Sequence, residues 1–296
     1  MEYVCICILN YNDGPGTVNC IQSILNQTYK NWRIVIIDNG STDDSLQIIS
    51  SFLNMSGVKF VSVDHGREED DTVKSNREVL IIKSGKNGGY SYGNNIGIRF
   101  VRASSLFSHI LIINNDLVLH RDFLEKMLKT YGSLRYLYSS SKIALGATEY
   151  ANGGNITHNG FHYLHLPSAL TFKRSIFPSF KYITGSCIFL DREAPLMDES
   201  FFLYFDDIQY SKILKADNWL LESCETAAFI HEVGYKKKQN GEICRIIFES
   251  MRHFYFKNYP LLYPFVITVR ILLYLALGRP GKAVILIKVS MRTHLQ

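Results

Sequence analysis

Apolar and polar positions come in blocks along the first half of the chain. Short apolar runs occupy residues 4–9, 33–38, 58–63, 79–82 and 109–113, and most stop at Asn or Asp. A short apolar run bounded by turn residues reads as a strand buried on both faces, the mark of a parallel sheet. Between these runs, residues 18–25, 45–52, 90–102 and 122–131 carry apolar side chains three or four apart, the period of a helix. Strands alternating with helices predict an α/β fold with a doubly wound, mostly parallel, Rossmann-like sheet flanked by helices. Such sheets bind ligands beyond the carboxyl ends of their strands.

Past residue 140 the pattern loosens. Residues 151–155 and the His-rich 158–165 read as loops, 181–190 as a strand interrupted at Gly185 and Ser186, and 208–216 as a helix. Residues 226–230 form an apolar strand, and 245–259 a helix with an aromatic face. Residues 261–277 are very apolar but contain Pro264 and Arg270, and Gly278-Arg279-Pro280-Gly281 separates them from a second apolar segment, 283–289. A membrane-spanning helix needs about 20 apolar residues, and neither segment reaches that. They read as two helices that pack on the domain or lie in the membrane interface. The expected division is one α/β domain over residues 1–240 and a C-terminal helical appendage over 241–296.

The composition changes little in this picture. The chain has 296 residues, 47% hydrophobic and 20% charged, so a full globular core is within reach. Its net charge is +5, with basic residues scattered rather than gathered on one stripe, which argues against nucleic-acid binding. The dense run Lys236-Lys237-Lys238 reads as a solvated loop or as a contact for anionic lipid or pyrophosphate. The charged stretch 64–78 reads as a solvated loop. The six cysteines contain no Cys-x-x-Cys pair, which leaves zinc ribbons and redox motifs unsupported. Buried thiols in a reducing compartment and the absence of a secretory signal place the chain in the cytoplasm, at most peripheral on the inner face of the membrane. Nothing in the sequence speaks to oligomeric state.

Four polar clusters carry candidate chemistry. Asp38 ends an apolar run and precedes Asn39-Gly40-Ser41-Thr42-Asp43. A carboxylate there can accept an N–H from a nucleobase, and the same residues also suit a turn with a helix cap. Asn114-Asn115-Asp116 follows four apolar residues; its oxygens suit Mg²⁺ or Mn²⁺, or simply a turn. Asp206-Asp207 follows the aromatic run 201–205 and reads either as a general base with its neighbour or as acids in the first turn of a helix. His231 closes the 226–230 run and, alone, is more often a hydrogen-bonded core residue than a ligand. Gly14-Pro15-Gly16 imitates a dinucleotide fingerprint, but Asn19 stands in place of the third glycine and Pro15 removes an N–H.

In order along the chain these clusters resemble glycosyltransferase family 2, of GT-A fold, and most closely its rhamnosyltransferase-like members. The resemblance covers most of residues 3–255. It rests on Ile8-Leu9-Asn10-Tyr11-Asn12, Ser23-Ile24-Leu25-Asn26-Gln27-Thr28-Tyr29, Ile36 to Ser45, Asn87 to Gly97, Leu111 to Asp116, Thr184-Gly185-Ser186-Cys187, Asp198 to Asp207, and His231-Glu232-Val233-Gly234. It implies an inverting transfer from a nucleoside-diphosphate sugar, with dTDP-rhamnose as the leading donor, to a glycan or lipid-linked acceptor in surface polysaccharide synthesis. Asn10, Asn12, Asp38 and Asn39 are expected to hold the nucleobase and ribose, and Asn87 and Asn95 to lie in the segment lining the donor pocket. Asn114 and Asn115 are expected beside the donor, with Asp116 and His231 as metal ligands for Mg²⁺ or Mn²⁺. Asp207 is the expected base with Asp206 beside it, and Gly185 and Ser186 lie on the acceptor side. Asn114 replaces the first acid of Asp-x-Asp, Asp206 stands where Glu is common, Gln209 where Asp is common, and Arg252-His253 where Arg-Asn is typical. A sugar-nucleotide nucleotidyltransferase and a non-catalytic sugar-nucleotide-binding protein are the rival readings.

Overall fold

The computed structural model describes residues 2–67, 79–138, 142–151, 154–157, 159–163, 179–231 and 241–291. Most of the charged stretch, part of the His-rich segment, residues 232–234 of the last motif and the lysine run 236–238 lie outside the described residues. The first half alternates as its pattern requires: β1 (Val4–Asn10), α1 (Gly14–Leu25), β2 (Trp32–Asp38), α2 (Ser45–Met55), β3 (Phe60–Asp64), β4 (Val79–Lys83), α3 (Gly89–Ala103) and β5 (His109–Asn114). The second half contains β6 (Leu117–Leu119), α4 (Phe123–Tyr138), β7 (Ile143–Ala151), β8 (Gly154–Thr157), β9 (Asn159–Tyr163), β10 (Ser179–Ile183), β11 (Cys187–Asp191), α5 (Asp206–Ala216) and β12 (Leu220–His231). Helices α6 (Gly241–Asn258), α7 (Tyr263–Ala276) and α8 (Pro280–Ser290) follow.

One ten-stranded sheet runs β3-β4-β2-β1-β5-β11-β7-β12-β6, with β8 paired to β7. Strands β3 to β5 on this path are all parallel, and β11 joins β5 antiparallel. The segments 151–155 and 158–165, expected as loops, instead contribute β8 and β9, which pair with β7 and β10. Their Gly and Asn content reads as turn, but hydrogen bonding to a neighbouring strand overrides weak local preference. The Gly14-Pro15-Gly16 segment opens α1. Asp13 caps it by accepting from Gly16 N at 3.1 Å, and Pro15 sits in the first turn, where its missing N–H costs nothing.

The strand period of two sorts the core into layers. Val4, Ile6 and Ile8 of β1 pack with Cys20, Ile21 and Ile24 of α1 and with Ile49 and Leu53 of α2. Cys5 and Cys7 point to the other face, against Ile96, Ile98 and Val101 of α3 and Tyr210 and Leu214 of α5. A third cluster joins α6, α7 and α8 to Phe201 and Ile208. The doubly covered parallel half brings the carboxyl ends of β1, β2 and β5 to one rim: Asn10 is in register with Asp38, and Leu9 with Asn114.

Ile112 is fully buried in β5, between β1 and β11, so Ile112→Ala should lose about 2–5 kcal/mol of stability. Leu272 on α7 is 61% exposed, and Leu272→Ala should stay within about 0.5 kcal/mol of the parent. Urea unfolding of both variants checks the contrast.

Candidate active site

At the β1–β2 end of the rim, polar side chains bind one another before any ligand arrives. Asn10 Nδ2 donates to Asp38 Oδ1 at 2.9 Å and to Ser41 Oγ at 3.1 Å, and Asn10 Oδ1 accepts from Thr17 Oγ1 at 2.8 Å. Ser41 N donates to Asp38 Oδ2 at 3.2 Å. Asn12 has φ 51° and clasps the same loop: its N–H donates to Ser41 Oγ at 3.0 Å, and its Oδ1 accepts from Thr42 N at 2.8 Å. Asp38 is buried and uses one lone pair on each oxygen here, leaving acceptor capacity for an incoming N–H. Asn39 reaches across to the start of α3, donating to Asn87 Oδ1 and Gly89 O, both at 3.1 Å. Asn95 is spent elsewhere. Its amide donates to Met197 O (2.9 Å) and Glu199 Oε1 (2.8 Å) and accepts from Met197 N (2.7 Å), which fastens the strap after β11 to α3.

Asp116 lies in the turn between β5 and β6. Asn115 fixes this turn to the start of α1, with Nδ2 donating to Asp13 O, Asp13 Oδ2 and Thr17 Oγ1 at 3.1 Å each. Because β6 pairs antiparallel with β12, His231 falls opposite Leu117, and its Nε2 stands 3.1 Å from Asp116 Oδ1. That Asp116 oxygen is buried and accepts no hydrogen bond among the described residues. The imidazole is close but not aligned to donate to it. A carboxylate oxygen and a ring nitrogen about 3 Å apart match two neighbouring ligands of an octahedral cation with bonds of about 2.1 Å. Among the described residues no group of three His, Cys, Asp or Glu could hold a metal. The residues therefore suit a cation that takes its remaining ligands from phosphate and water, the usual habit of Mg²⁺.

The carboxylate pair opens α5. Tyr204 and Phe205 adopt φ 66° and 59°, a left-handed conformation costly for side chains of this size, and they aim the first turn of the helix back toward the sheet. Such strain is stable only where packing fixes it. Phe205 packs on Phe254 of α6 with ring centroids 5.5 Å apart, and Ser250 donates to Leu203 O at 2.6 Å. Asp207 Oδ1 accepts from Ile208 N at 2.8 Å and Oδ2 from Gly185 N at 3.2 Å. Burial pushes both carboxyls above the usual range, and the Asp207 charge pushes Asp206 further, to about 8. The N–H groups of Gly185 and Ile208 favour the ionised form of Asp207, while burial and the Asp207 charge favour the neutral form of Asp206.

The loop 184–186 connects the two ends of the site. Asn114 N donates to Ser186 O at 3.0 Å, and one residue earlier Gly185 N binds Asp207. Tyr90 holds Gly185 from its other side, its hydroxyl donating to Gly185 O and its N–H to Phe202 O at 2.8 Å. Gly89 makes this approach possible. Its φ is 86°, and a Cβ there would stand 2.4 Å from Phe202 O. Asn10, Asn12, Asp38, Asn39, Asn87, Asn114, Asn115, Asp116 and His231 are thus linked along one rim, and Gly185 and Ser186 join that rim to Asp207 and Asp206. Of the departures noted in the sequence, Gln209 Oε1 accepts from Asn258 Nδ2 at 2.8 Å, and His253 Nε2 lies 2.8 Å from Ser200 Oγ. Sequence reasoning missed Tyr90, Ser41 and Asp13. Tyr90 and Ser41 sit inside motifs that were noticed, but nothing in a linear sequence shows that the Tyr90 hydroxyl meets a carbonyl 95 positions away.

A parallel half-sheet with a polar rim, extended by an antiparallel strand and followed by a helix that opens on a carboxylate pair, is a GT-A type fold. Residues 5–195 match the family described as Glycosyl transferase family 2, and the chain belongs to that family. It is 27% identical over 206 residues to the low-salt glycan biosynthesis hexosyltransferase Agl10 of Haloferax volcanii, a match covering 67% of this chain and 66% of Agl10. It is 26% identical over 126 residues to the glycosyltransferase GlyG of Streptococcus pneumoniae, covering 43% of this chain and 34% of GlyG. The matches thus span less than two thirds of these relatives' lengths. The mannosyltransferase PcManGT of Pyrobaculum calidifontis, solved with GDP-Man and Mn²⁺, superposes with a TM-score of 0.55 at 12% identity, over 99% of this chain and 76% of that one.

The raised Asp206 sets a pH dependence. Below the unfolded carboxyl value, about 3.9, the group is protonated in both states and stability does not respond. As pH rises from there to about 8, the folded state alone keeps the proton, so stability falls, and it levels off above that. Asp206→Asn removes this loss, so its stability advantage over the parent should widen from pH 5 to 8. Denaturant midpoints measured across that range would show parallel curves if the buried pair carried no extra proton.

Proposed function

We propose that the chain is a glycosyltransferase that moves a sugar from a nucleoside-diphosphate sugar to a hydroxyl of a glycan or lipid-linked acceptor in surface polysaccharide synthesis, with inversion. The observation that supports this reading is the link from Asn114 through Ser186 and Gly185 to Asp207, which ties the strand end before Asp116 to the buried carboxylate. Asp38, with Asn10 and Ser41 fixing its carboxylate, accepts an N–H of the nucleobase. Asn12 and the loop 41–43 offer polar contacts to ribose. The diphosphate lies toward Asp116 and His231. Asp116 and His231 would hold a divalent cation, Mg²⁺ or Mn²⁺, which would supply positive charge to offset that on the departing diphosphate. The related fold of PcManGT holds GDP-Man and Mn²⁺, which supports this placement.

Asp207 takes the proton of the acceptor hydroxyl. The oxygen then forms its bond to the anomeric carbon as the bond from that carbon to the β-phosphate oxygen breaks, and the nucleoside diphosphate leaves with the electron pair. A single ionised carboxylate beside a protonated partner suits one displacement and hence inversion. Asp206 keeps its proton and so avoids placing a second negative charge against the base. The rhamnosyltransferase-like motif set favours dTDP-rhamnose as donor, and hexoses on uridine or guanosine diphosphate complete the panel to test. Six buried, unpaired thiols fit a reducing cytoplasmic setting.

General-base catalysis contributes about 10²–10⁴-fold, so Asp207→Asn should lose that much in kcat while donor binding persists. Turnover within a few-fold of the parent would reject Asp207 as the base. For the donor side, a thermal-shift panel of nucleotide sugars with and without Mn²⁺ should show a donor that stabilises the parent by about 2.7 kcal/mol at 100 times its Kd. Asp116→Ala and His231→Ala should abolish the metal-dependent part of that shift. A shift insensitive to both metal and these substitutions would remove Asp116 and His231 from the cation site.

A further inference from the structure

Helices α7 and α8 expose apolar side chains where an appendage facing water should be polar. On α7, Phe265, Leu272 and Leu275 are 49%, 61% and 52% exposed, and their spacing places them on one helix face, while the opposite face is buried in the third core cluster. On α8, Val284, Ile287 and Met291 repeat the arrangement. A helix apolar on both faces needs cover on both. No helix among the described residues is long and apolar enough to cross a membrane, so the cover is not a span. Charge decides which cover fits. From residue 250 to 296 the chain has seven Lys and Arg and no Asp or Glu. Arg279, in the turn between the two helices, and Lys288 on α8 are both exposed. Helices whose apolar stripes are accompanied by cations and by no acid of their own have the composition of helices that lie in the headgroup plane of an anionic bilayer.

We propose that α7 and α8 form a docking surface for a membrane bearing anionic phospholipid, with the apolar stripes at the acyl boundary and Arg279 and Lys288 among the headgroups. This goes beyond sugar transfer and stands independently of it. It also has a consequence for the site. Helix α6 packs on α8 and on the strained segment before Asp206, so the docking surface and the base belong to one packed body. The exposed Phe202, Leu203 and Tyr204 lie on that same segment.

The full chain should float with vesicles of phosphatidylcholine mixed with phosphatidylglycerol, and much less with phosphatidylcholine alone. Each cation near an anionic surface is worth roughly five-fold in partitioning, so Arg279→Glu with Lys288→Glu should lose at least roughly 25-fold. Phe265→Glu with Leu272→Glu should abolish flotation while far-ultraviolet circular dichroism and Tm stay at parent values. The proposal is overturned if the parent fails to float with the mixed vesicles at low salt, or if the Phe265/Leu272 variant floats as well as the parent. It is also overturned if sedimentation equilibrium finds a parent dimer that this variant dissociates, because a second copy would then cover the face.

Discussion

The site depends on how residues 184–186 are held. This short connection between β10 and β11 must satisfy its backbone groups on both sides at once. Ser186 O is taken by the end of β5, Gly185 N by the Asp207 carboxylate, and Gly185 O by the Tyr90 hydroxyl. Three hydrogen bonds to three separate elements leave the loop no freedom to shift without leaving a buried polar group unpaired, a cost of about 1–3 kcal/mol each. The end of β5 and Asp207 are therefore tied together through the backbone of Gly185 and Ser186.

The same logic divides the two carboxylates. Adjacent acids at a helix start would ordinarily both ionise and both benefit from the helix dipole. Here burial works against charge on either, and the N–H groups of Gly185 and Ile208 are spent on Asp207 alone. Burial raises both groups, and the Asp207 charge raises Asp206 further. The environment thereby sets two chemically identical side chains apart. The left-handed backbone at Tyr204 and Phe205 makes the arrangement possible, since it directs the first turn of α5 at the loop rather than past it. That strain is held by contacts from α6, so this helix helps to position the carboxylate pair.

Much of this was legible in the sequence, for a physical reason. Strands buried on both faces must be apolar throughout, and they must end where the chain leaves the sheet, so Asn10, Asp38 and Asn114 announce themselves as the polar residues after apolar runs. Parallel pairing then brings them together without further information. The carboxylate pair was equally visible, because acids directly after an aromatic run have no cheap resting place. What the sequence concealed depends on pairing between distant segments. The three residues of β6 are too few to show a period, and their strand state exists only because β12 lies beside them. Strands β8 and β9 have turn-like composition and owe their form to β7 and β10. Asn95 has the residue type of a ligand-binding side chain, yet Met197 and Glu199 occupy its amide, a fact that no spacing predicts.

The sheet order also explains how the polar rim meets the loop before β11. The parallel half ends its strands in one direction, which gathers Asn10, Asp38 and Asn114 on one polar edge. Adding β11 antiparallel to β5 reverses the chain at the rim itself, so the loop before β11 sits beside the turn after β5. The loop 184–186 thereby enters the sheet where the Asn114–Asp116 segment leaves it. In register, Cys187 opposes Ile113, so the two loops cannot slide apart without breaking the ladder in the most buried part of the sheet. At this antiparallel join the apolar side chains of β5 and β11 act together with the hydrogen bonds of residues 184–186 to hold the two loops side by side.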